Sequence, residues 1–445
     1  MTITANRRIL LTALLGVALA CVLAAAFRPS LYAPYAEGTD YFRMARGDFS
    51  NVYNFYRGRV LHPYAVRLAA QAAHAPIDAN VFRAFSAGAL IAFFCFAGLY
   101  YGVEYSWAGC VLLFLLANPR LIEAYRNYYW QEMFYAVVCM LFFLLARTRP
   151  WLALPVVFLL YLTRESTIVL VGALFLVALS RRDWRLCLGV LAVGLAAMKV
   201  QGALVARGLP SQHGIPTALL DFLKLPYNFA YNICGVEIWT NTLPTVTILP
   251  PKWVVQLPSW VHLGNIRQVG YSGFFWPNPV QTLVTLATAF GILPLVFIQK
   301  VARDWRSALH ERFDVAAALV YGGLMFLLTP LVGTVPDRYV IDAWPAFWIF
   351  GAGAVSADFP AWGRKTEIVL LSVFVAWIPS LVGLAMGRPP VSGAPTLTRV
   401  TPAGAIVSLV IAAACYWAAW RFLNRRPSEN ISADPSPWPL NSPAR

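Results

Sequence analysis

The chain has 445 residues, of which 59% are hydrophobic and only 12% are charged, about half the charged share of a typical soluble domain. The formal net charge of +15 is spread along the chain and never forms one basic block, which excludes a nucleic-acid-binding protein. The apolar runs exclude a soluble multidomain enzyme, a secreted disulfide scaffold and a disordered chain. The composition therefore predicts a polytopic membrane protein.

Apolar runs near the length needed to cross a hydrocarbon layer of about 30 Å recur along the chain. The first, 9–27, follows Arg7 and Arg8 and is expected to be retained as a span rather than cleaved as a signal peptide. Later runs fall at 84–102, 107–118, 133–146, 150–162, 166–180, 186–206, 280–299, 314–332, 340–356, 367–386 and 403–421. The predicted fold class is all-α, with about twelve transmembrane helices.

Arginines and lysines in the short connections indicate the orientation. With the amino terminus inside, basic residues collect at the inner span ends, as at 147–149, 181–185, 300–312, 364–365 and 421–426. Both termini are then cytoplasmic, and the expected location is a bacterial inner membrane. The predicted divisions are an N-terminal transmembrane module 1–206 whose first periplasmic loop 28–83 is catalytic, a periplasmic or interfacial loop 207–279, a C-terminal transmembrane module 280–426 and a disordered cytoplasmic tail 427–445.

Charge is concentrated in the first outer loop. Seven of the 23 residues from Glu37 to Arg59 are charged, and Tyr41, Tyr53 and Tyr56 lie among them. If the segment is helical, Glu37 and Asp40 share a face. Acids, arginines and aromatic rings in one place are typical of a site that needs a base, a phosphate ligand and a sugar-stacking surface. The segment could equally be a solvated loop with ordinary ion pairs.

Three further ionisable residues lie beside apolar runs. Arg164 and Glu165 interrupt the runs 150–162 and 166–180, so that either two short helices meet there or one long helix is broken. Such residues are costly in a membrane unless they are paired or face a cavity. They could form a structural pair or line a cavity. Glu132 precedes another run, where it could bind acceptor or a divalent ion.

The loop 207–279 is rich in Pro and Trp, which suits an interfacial helix at the membrane surface.

Several short motifs carry a family resemblance; in chain order they are GTDYFRMA, FYRGRVLHP, NYYWQEMFYA, LTRES and PDRYVIDAWPAF. With their order of loops, they resemble bacterial members of the GT-C superfamily of integral membrane glycosyltransferases. The resemblance implies a GT-C-like fold with interfacial helices in two outer loops. It also implies an inverting hexosyl- or pentosyltransferase that moves a sugar from a polyprenyl-phosphate donor to a periplasmic glycan, lipid or protein.

The resemblance places the catalytic carboxylate at Asp40, with Glu37 and Asp48 as rivals. A carboxylate is needed there because the acceptor hydroxyl loses a proton as it attacks the anomeric carbon. Arg338, with Tyr339 beside it, is expected to bind the leaving lipid phosphate. The remaining candidate substrate-binding residues are Tyr41, Arg57, Arg59, Glu132, Arg164 and Glu165. Arg57 and Arg59 could bind phosphate or instead pair with Asp40 or Asp48.

Two other functions stay open. An O-antigen polymerase or ligase also has about twelve spans and a large outer loop, and a secondary transporter or flippase would be a non-enzymatic alternative. No phosphate-binding Gly-rich loop or zinc motif occurs in the sequence, which argues against ATP-driven transport and a zinc protease. No cofactor is predicted with certainty, and a divalent cation is left open. The expected partners are the lipid-linked sugar, the acceptor and membrane lipid, not nucleic acid.

Overall fold

A computed structural model describes a mainly helical membrane protein. Four described helices are long and apolar enough to cross a membrane: Asn6–Ala26, Ala79–Gly102, Trp184–Val205 and Phe313–Val332. The described residues are 5–27, 37–104, 119–209, 217–241, 250–261, 265–276, 278–280, 282–283, 286, 301, 309–310, 312–332, 340, 342, 346 and 417. The predicted runs 107–118 and 367–386, the tail 427–445, and most of the runs 280–299, 340–356 and 403–421 lie outside them.

Helices account for most of the described chain. In chain order they are α1 Ala5–Ala26, α2 Glu37–Arg46, α3 Asn54–Arg57, α4 Leu61–Ala72, α5 Ala79–Glu104, α6 Pro119–Arg126, α7 Glu132–Thr148, α8 Pro150–Thr163, α9 Thr167–Ser180, α10 Trp184–Val205, α11 Thr217–Asn228 and α12 Phe313–Val332. A π-helical turn, Phe229–Ile233, extends α11. The strands are β1 Val236–Thr240, β2 Trp253–Gln256 and β3 Gln268–Phe274.

Glycines bring α1 and α5 into backbone contact. A Cβ placed on Gly98 would lie 2.7 Å from the Ala13 Cα, and one on Gly16 would lie 2.3 Å from the Phe94 carbonyl oxygen. Lipid gives no hydrophobic driving force between membrane helices, so close packing through small residues stabilises their association. The helix α1 therefore packs closely against α5.

The break at Arg164–Ser166 separates two short antiparallel helices. Gly189, near the start of α10, faces Trp151 at the start of α8, and Gln201, further along α10, donates to the Tyr161 carbonyl oxygen near the end of α8. Hence α8 runs parallel to α10. The chain turns back between α9 and α10 within three residues, so α9 runs the opposite way. Of the two arrangements that the sequence allowed, the structure has two helices that meet at the break.

A buried ionic group at Asp314 ties α5 to α12 at the end of the bundle remote from this break. Asp314 is fully buried and accepts hydrogen bonds from the Tyr100 hydroxyl at 2.6 Å and from Arg312 Nη2 at 2.7 Å. The Arg312 Nη2 also donates to the Tyr100 hydroxyl at 3.1 Å. The buried carboxylate is thereby paired, which makes its burial tolerable.

The two loop segments of the predicted outer side meet at a short backbone ladder. Leu209 donates its N–H to the Val52 carbonyl at 3.0 Å and accepts from the Asn54 N–H at 2.8 Å. A Cβ on Gly208 would lie 2.4 Å from the Asn54 Cα, so only glycine permits this approach. The first loop is therefore anchored to the chain that leaves α10.

The prediction of an all-α protein is wrong in one part, because the segment 207–279 contains a three-stranded antiparallel sheet in the order β1-β3-β2. Only α11, with the π-helical turn, matches the predicted helix there. Asn228 and Asn232 donate their side-chain amides to the Leu331 and Pro330 carbonyl oxygens and so fix this segment to the end of α12. The strands are short and flanked by prolines, which hides their alternating pattern in the sequence.

Candidate functional site

Arg59, in the connection between α3 and α4, is the centre of one buried ionic group. Its Nε donates to Glu165 Oε2 at 2.8 Å, and its Nη2 donates to Glu165 Oε1. Its Nη1 lies 3.4 Å from Glu37 Oε2 and donates to the Tyr41 hydroxyl at 3.1 Å. The Arg59 side chain is only 2% exposed. A planar guanidinium can hold two carboxylates and a phenol at once, which an ammonium group cannot do with the same geometry.

The pKa values of Glu165 and Tyr41 follow from their contacts with Arg59. Burial would raise the pKa of Glu165, but the charge and hydrogen bonds of Arg59 outweigh it and hold that pKa below its ordinary value. Burial raises the pKa of the Tyr41 hydroxyl, with Arg59 opposing it in part, so Tyr41 stays protonated. Glu165 is therefore an ionised partner of Arg59, and its side chain is 31% exposed. It forms the accessible edge of the group.

Arg164 is the centre of a second group that adjoins the first through Glu165. Its Nη1 donates to Asp342 Oδ1 at 2.9 Å and lies 3.6 Å from Glu132 Oε1. The Ser166 hydroxyl donates to the other Asp342 oxygen at 2.7 Å. Arg164, Glu132 and Asp342 are each no more than 3% exposed. The two groups together, Glu37, Tyr41, Arg59, Glu132, Arg164, Glu165, Ser166 and Asp342, are called the paired-arginine cluster below.

A row of hydrogen-bonded hydroxyl groups, called the hydroxyl row below, leads from this cluster into the helical bundle. Thr167, the first residue of α9, donates to the Tyr135 hydroxyl of α7 at 3.3 Å. The Tyr135 and Tyr321 hydroxyls are 2.9 Å apart, which joins α7 to α12. All three side chains are buried. Satisfied polar networks of this kind fix the relative positions of helices, so the cluster is held by rigid elements.

Asp40 lies one helical turn after Glu37 on α2, as the spacing predicted. Its carboxylate is 7% exposed, and its Oδ1 is 3.9 Å from Arg43 Nη1. Burial raises the pKa of Asp40, although Arg43 and the Tyr53 backbone N–H lower it in part. A carboxylate with a raised pKa is a stronger base than an exposed one when it is ionised. Asp40 is thus a buried acid beside the paired-arginine cluster.

Two other candidates of the first loop lie outside the cluster. Asp48 is exposed in a turn, where it accepts from the Ser50 hydroxyl at 2.6 Å and from the Ser50 N–H. These hydrogen bonds lower the pKa of Asp48. Arg57 donates from Nη1 to the Phe49 and Arg207 carbonyl oxygens at 2.9 and 2.7 Å. The sequence left open that Arg57 or Arg59 pairs with Asp40 or Asp48. Among the contacts of the described chain, neither arginine pairs with either of these acids.

The remaining candidates fall into two sets. Tyr41, Arg59, Glu132, Arg164 and Glu165 come together, although Arg59 and Glu165 are 106 residues apart in the chain. Arg338 and Tyr339 lie outside the described residues.

Sequence reasoning missed two members of the cluster, Asp342 and Ser166. Asp342 is an ionisable residue within an apolar run, and that signal alone marks a position of interest in a membrane protein. Ser166 has no such signal, because a single hydroxyl at the end of an apolar run is common.

His62, on α4, is buried against the same site in an aromatic cage. Its ring centroid is 6.1 Å from that of Tyr41 and 5.6 to 6.0 Å from those of Phe82, Phe85 and Phe134. Burial lowers the pKa of His62 from 6.5 to about 3. The imidazole is therefore neutral across the physiological range, and protonation would place an isolated charge among apolar rings.

This burial predicts an acid-sensitive stability. The unfolded chain takes up the proton near pH 6.5 and the folded chain only near pH 3, so the contribution of His62 is fully present above pH 6.5 and is lost as the pH falls toward 3. At pH 5 we expect a loss of about 2 kcal/mol. In detergent, the melting temperature of His62→Phe should fall less between pH 7.5 and pH 5 than that of the wild type. The exposed His74, whose φ of 50° suits asparagine, gives the control His74→Asn; equal acid sensitivity in all three proteins would contradict the prediction.

No protein-family model, curated protein or solved structure matches this chain. Among the described residues, no group of three or more His, Cys, Asp or Glu side chains is arranged to hold a metal ion. The geometry offers a pair of guanidinium groups that organise four carboxylates, with Asp40 beside them. Such a set can position a polar substrate and accept a proton from it.

Proposed function

We propose that the chain is a membrane glycosyltransferase of the GT-C type, which transfers a sugar from a polyprenyl-phosphate donor to an acceptor outside the hydrocarbon layer. The observation that carries the proposal is the paired-arginine cluster. The first loop supplies Glu37, Tyr41 and Arg59, and the ends of apolar helices supply Glu132 and Arg164. A lipid-linked donor needs a site at this boundary between membrane and water, where a soluble acceptor can also arrive.

The proposed reaction is a single displacement with inversion. The acceptor hydroxyl oxygen forms a bond to the anomeric carbon, and its proton passes to the Asp40 carboxylate. The bond between the anomeric carbon and the phosphate oxygen breaks, and its electron pair leaves with the polyprenyl phosphate. Because Arg59 and Arg164 are both engaged by carboxylates, Arg338 with Tyr339 remains the proposed phosphate ligand.

On the pattern of the sequence, the proposed enzyme has about twelve spans and cytoplasmic termini, and lies in a bacterial inner membrane. Its site faces the periplasm, and its acceptor is a glycan, lipid or protein. Each loop segment contains helices, α2 to α4 in the first and α11 in the second, which supports the proposal of interfacial helices there.

A secondary transporter is the second candidate, and one observation favours it. Arg164 and Asp342 form a buried ion pair. The hydroxyl row, from Thr167 through Tyr135 to Tyr321, extends from this pair between the helices. Buried ionisable groups in a helical bundle mark substrate or proton pathways in transporters. In the transferase, the same groups would hold the site rigid.

The test is a transfer reaction in reconstituted membranes. Proteoliposomes with labelled polyprenyl-phosphate hexoses or pentoses are incubated with cell-envelope acceptor fractions, and the products are separated by mass spectrometry. The transferase yields a covalent glycoside and free polyprenyl phosphate in equal amounts. Movement of label across the bilayer with no covalent product would support the transporter. Transfer only from a diphosphate-linked oligosaccharide would support the polymerase or ligase.

A further inference from the structure

Gln131 is a buried amide whose neighbour in the chain, Glu132, belongs to the paired-arginine cluster. Its side chain is 0% exposed, and within the part of the chain that the structure describes neither its Oε1 nor its Nε2 has a hydrogen-bond partner. Buried polar groups in folded proteins are nearly always hydrogen-bonded, because an unsatisfied one forfeits its hydration without return. A side chain with two such atoms therefore points to a partner beyond the described residues, and a bound ligand would satisfy both atoms.

The position of Gln131 places that partner beside the paired-arginine cluster. Gln131 is the N-cap residue of α7, and its side chain does not cap the helix. The preceding Trp130 packs on α2, where its Nε1 would lie 3.2 Å from a Cβ on Gly38. The following Glu132 lies 3.6 Å from Arg164. The amide thus stands between α2 and the break that precedes α9.

A second buried polar atom adjoins this position. The Nδ1 of His62 also has no hydrogen-bond partner within the described residues. Phe134 links the two, because its ring packs against His62 at 5.9 Å and it lies three residues after Gln131, on the same side of α7. His62 and Gln131 are both uncharged, and each offers donor and acceptor capacity.

This chemistry selects a neutral hydroxyl-bearing ligand. An anion such as phosphate would lie close to the carboxylate of Glu132, whereas a hydroxyl both donates to and accepts from an amide. We propose that Gln131, with His62, binds hydroxyl groups of the sugar ring at the amino end of α7. The assignment rests on the proposed function for its choice of a sugar, but it concerns binding and can be tested without transfer.

The test substitutes Gln131→Met, which keeps the length of the side chain and removes its polar atoms. Without ligand, the purified protein in detergent should melt about 2 °C higher than wild type, because an unsatisfied amide has been removed. Gln201→Met is the matched control. The Gln201 amide donates to the Tyr161 carbonyl oxygen, so this variant should melt at or below the wild-type temperature.

The second measurement uses a panel of methyl hexosides and methyl pentosides as probes. At least one should raise the melting temperature of the wild type and of Gln201→Met, and the same sugar should leave Gln131→Met and Gln131→Leu unchanged. A lower melting temperature of both Gln131 variants without ligand would overturn the proposal, since the amide would then have a protein or water partner. A shift that survives in the variants, or none in the wild type, would overturn it also. Failure of transfer with a Gln131-dependent sugar shift would reject the transferase alone.

Discussion

Substitution Arg59→Met should destabilise the protein by about 3–5 kcal/mol, the largest stability effect expected from one side chain in the site. Arg59 is 2% exposed and holds Glu37, Tyr41 and Glu165. Its removal leaves Glu37 with a carboxylate side chain that is 5% exposed and has lost this cation. The 31% exposure of Glu165 allows water to offset part of the cost there, which favours the lower end of the range.

The measurement is the midpoint of chemical or thermal unfolding in one detergent, with Arg43→Ala as the control. Arg43 is 44% exposed and lies 3.9 Å from Asp40, so its loss should cost less than about 1 kcal/mol. Adding Glu37→Gln and Glu165→Gln to Arg59→Met should recover part of the lost stability, because the two carboxylates that Arg59 held then carry no charge. If Arg59→Met unfolds with the wild-type midpoint, the cluster is not held together by Arg59.

The local charge density of the first loop singled out residues that the structure places close together. It identified Glu37, Asp40 and Arg59, and the spacing of the two acids correctly indicated one face of a helix. It could not separate them from Asp48 and Arg57, because Asp48 lies in the exposed turn after Gly47 and Arg57 donates to backbone carbonyl oxygens instead. Charge density along a sequence reports proximity in the chain, whereas the partners of Arg59 include one that is 106 residues away.

The second half of the cluster was visible only in part. Arg164 and Glu165 stood out because they interrupt two apolar runs, but the sequence does not say which carboxylates reach them. The Asp342 partner lies 178 residues beyond Arg164, and their pairing depends on the way α7, α9 and the end of α12 assemble. The sheet in 207–279 was missed for a different reason, since strands of four to seven residues give weaker patterns than long apolar helices.

Substitution Asp40→Asn should lower the rate of sugar transfer by about 10²–10⁴-fold, the usual contribution of a positioned general base. Asparagine keeps the size of the side chain, so α2 should fold normally. Glu37 and Glu165 are weaker candidates for the base, because each is held by Arg59. Asp48 is exposed and its pKa is lowered, which makes it a poorer base.

The control for this prediction is Asp48→Asn, an identical change eight residues further on, which should keep near-normal transfer. The pH dependence gives an independent readout. Because burial raises the pKa of Asp40, transfer by the wild type should fall as the pH drops through that raised value, while the residual rate of Asp40→Asn should not show this step. Normal turnover by folded, membrane-inserted Asp40→Asn would remove Asp40 from the mechanism. Loss of transfer in Asp48→Asn instead would move the base from the buried face of α2 to the exposed turn, where the paired-arginine cluster could no longer position the acceptor.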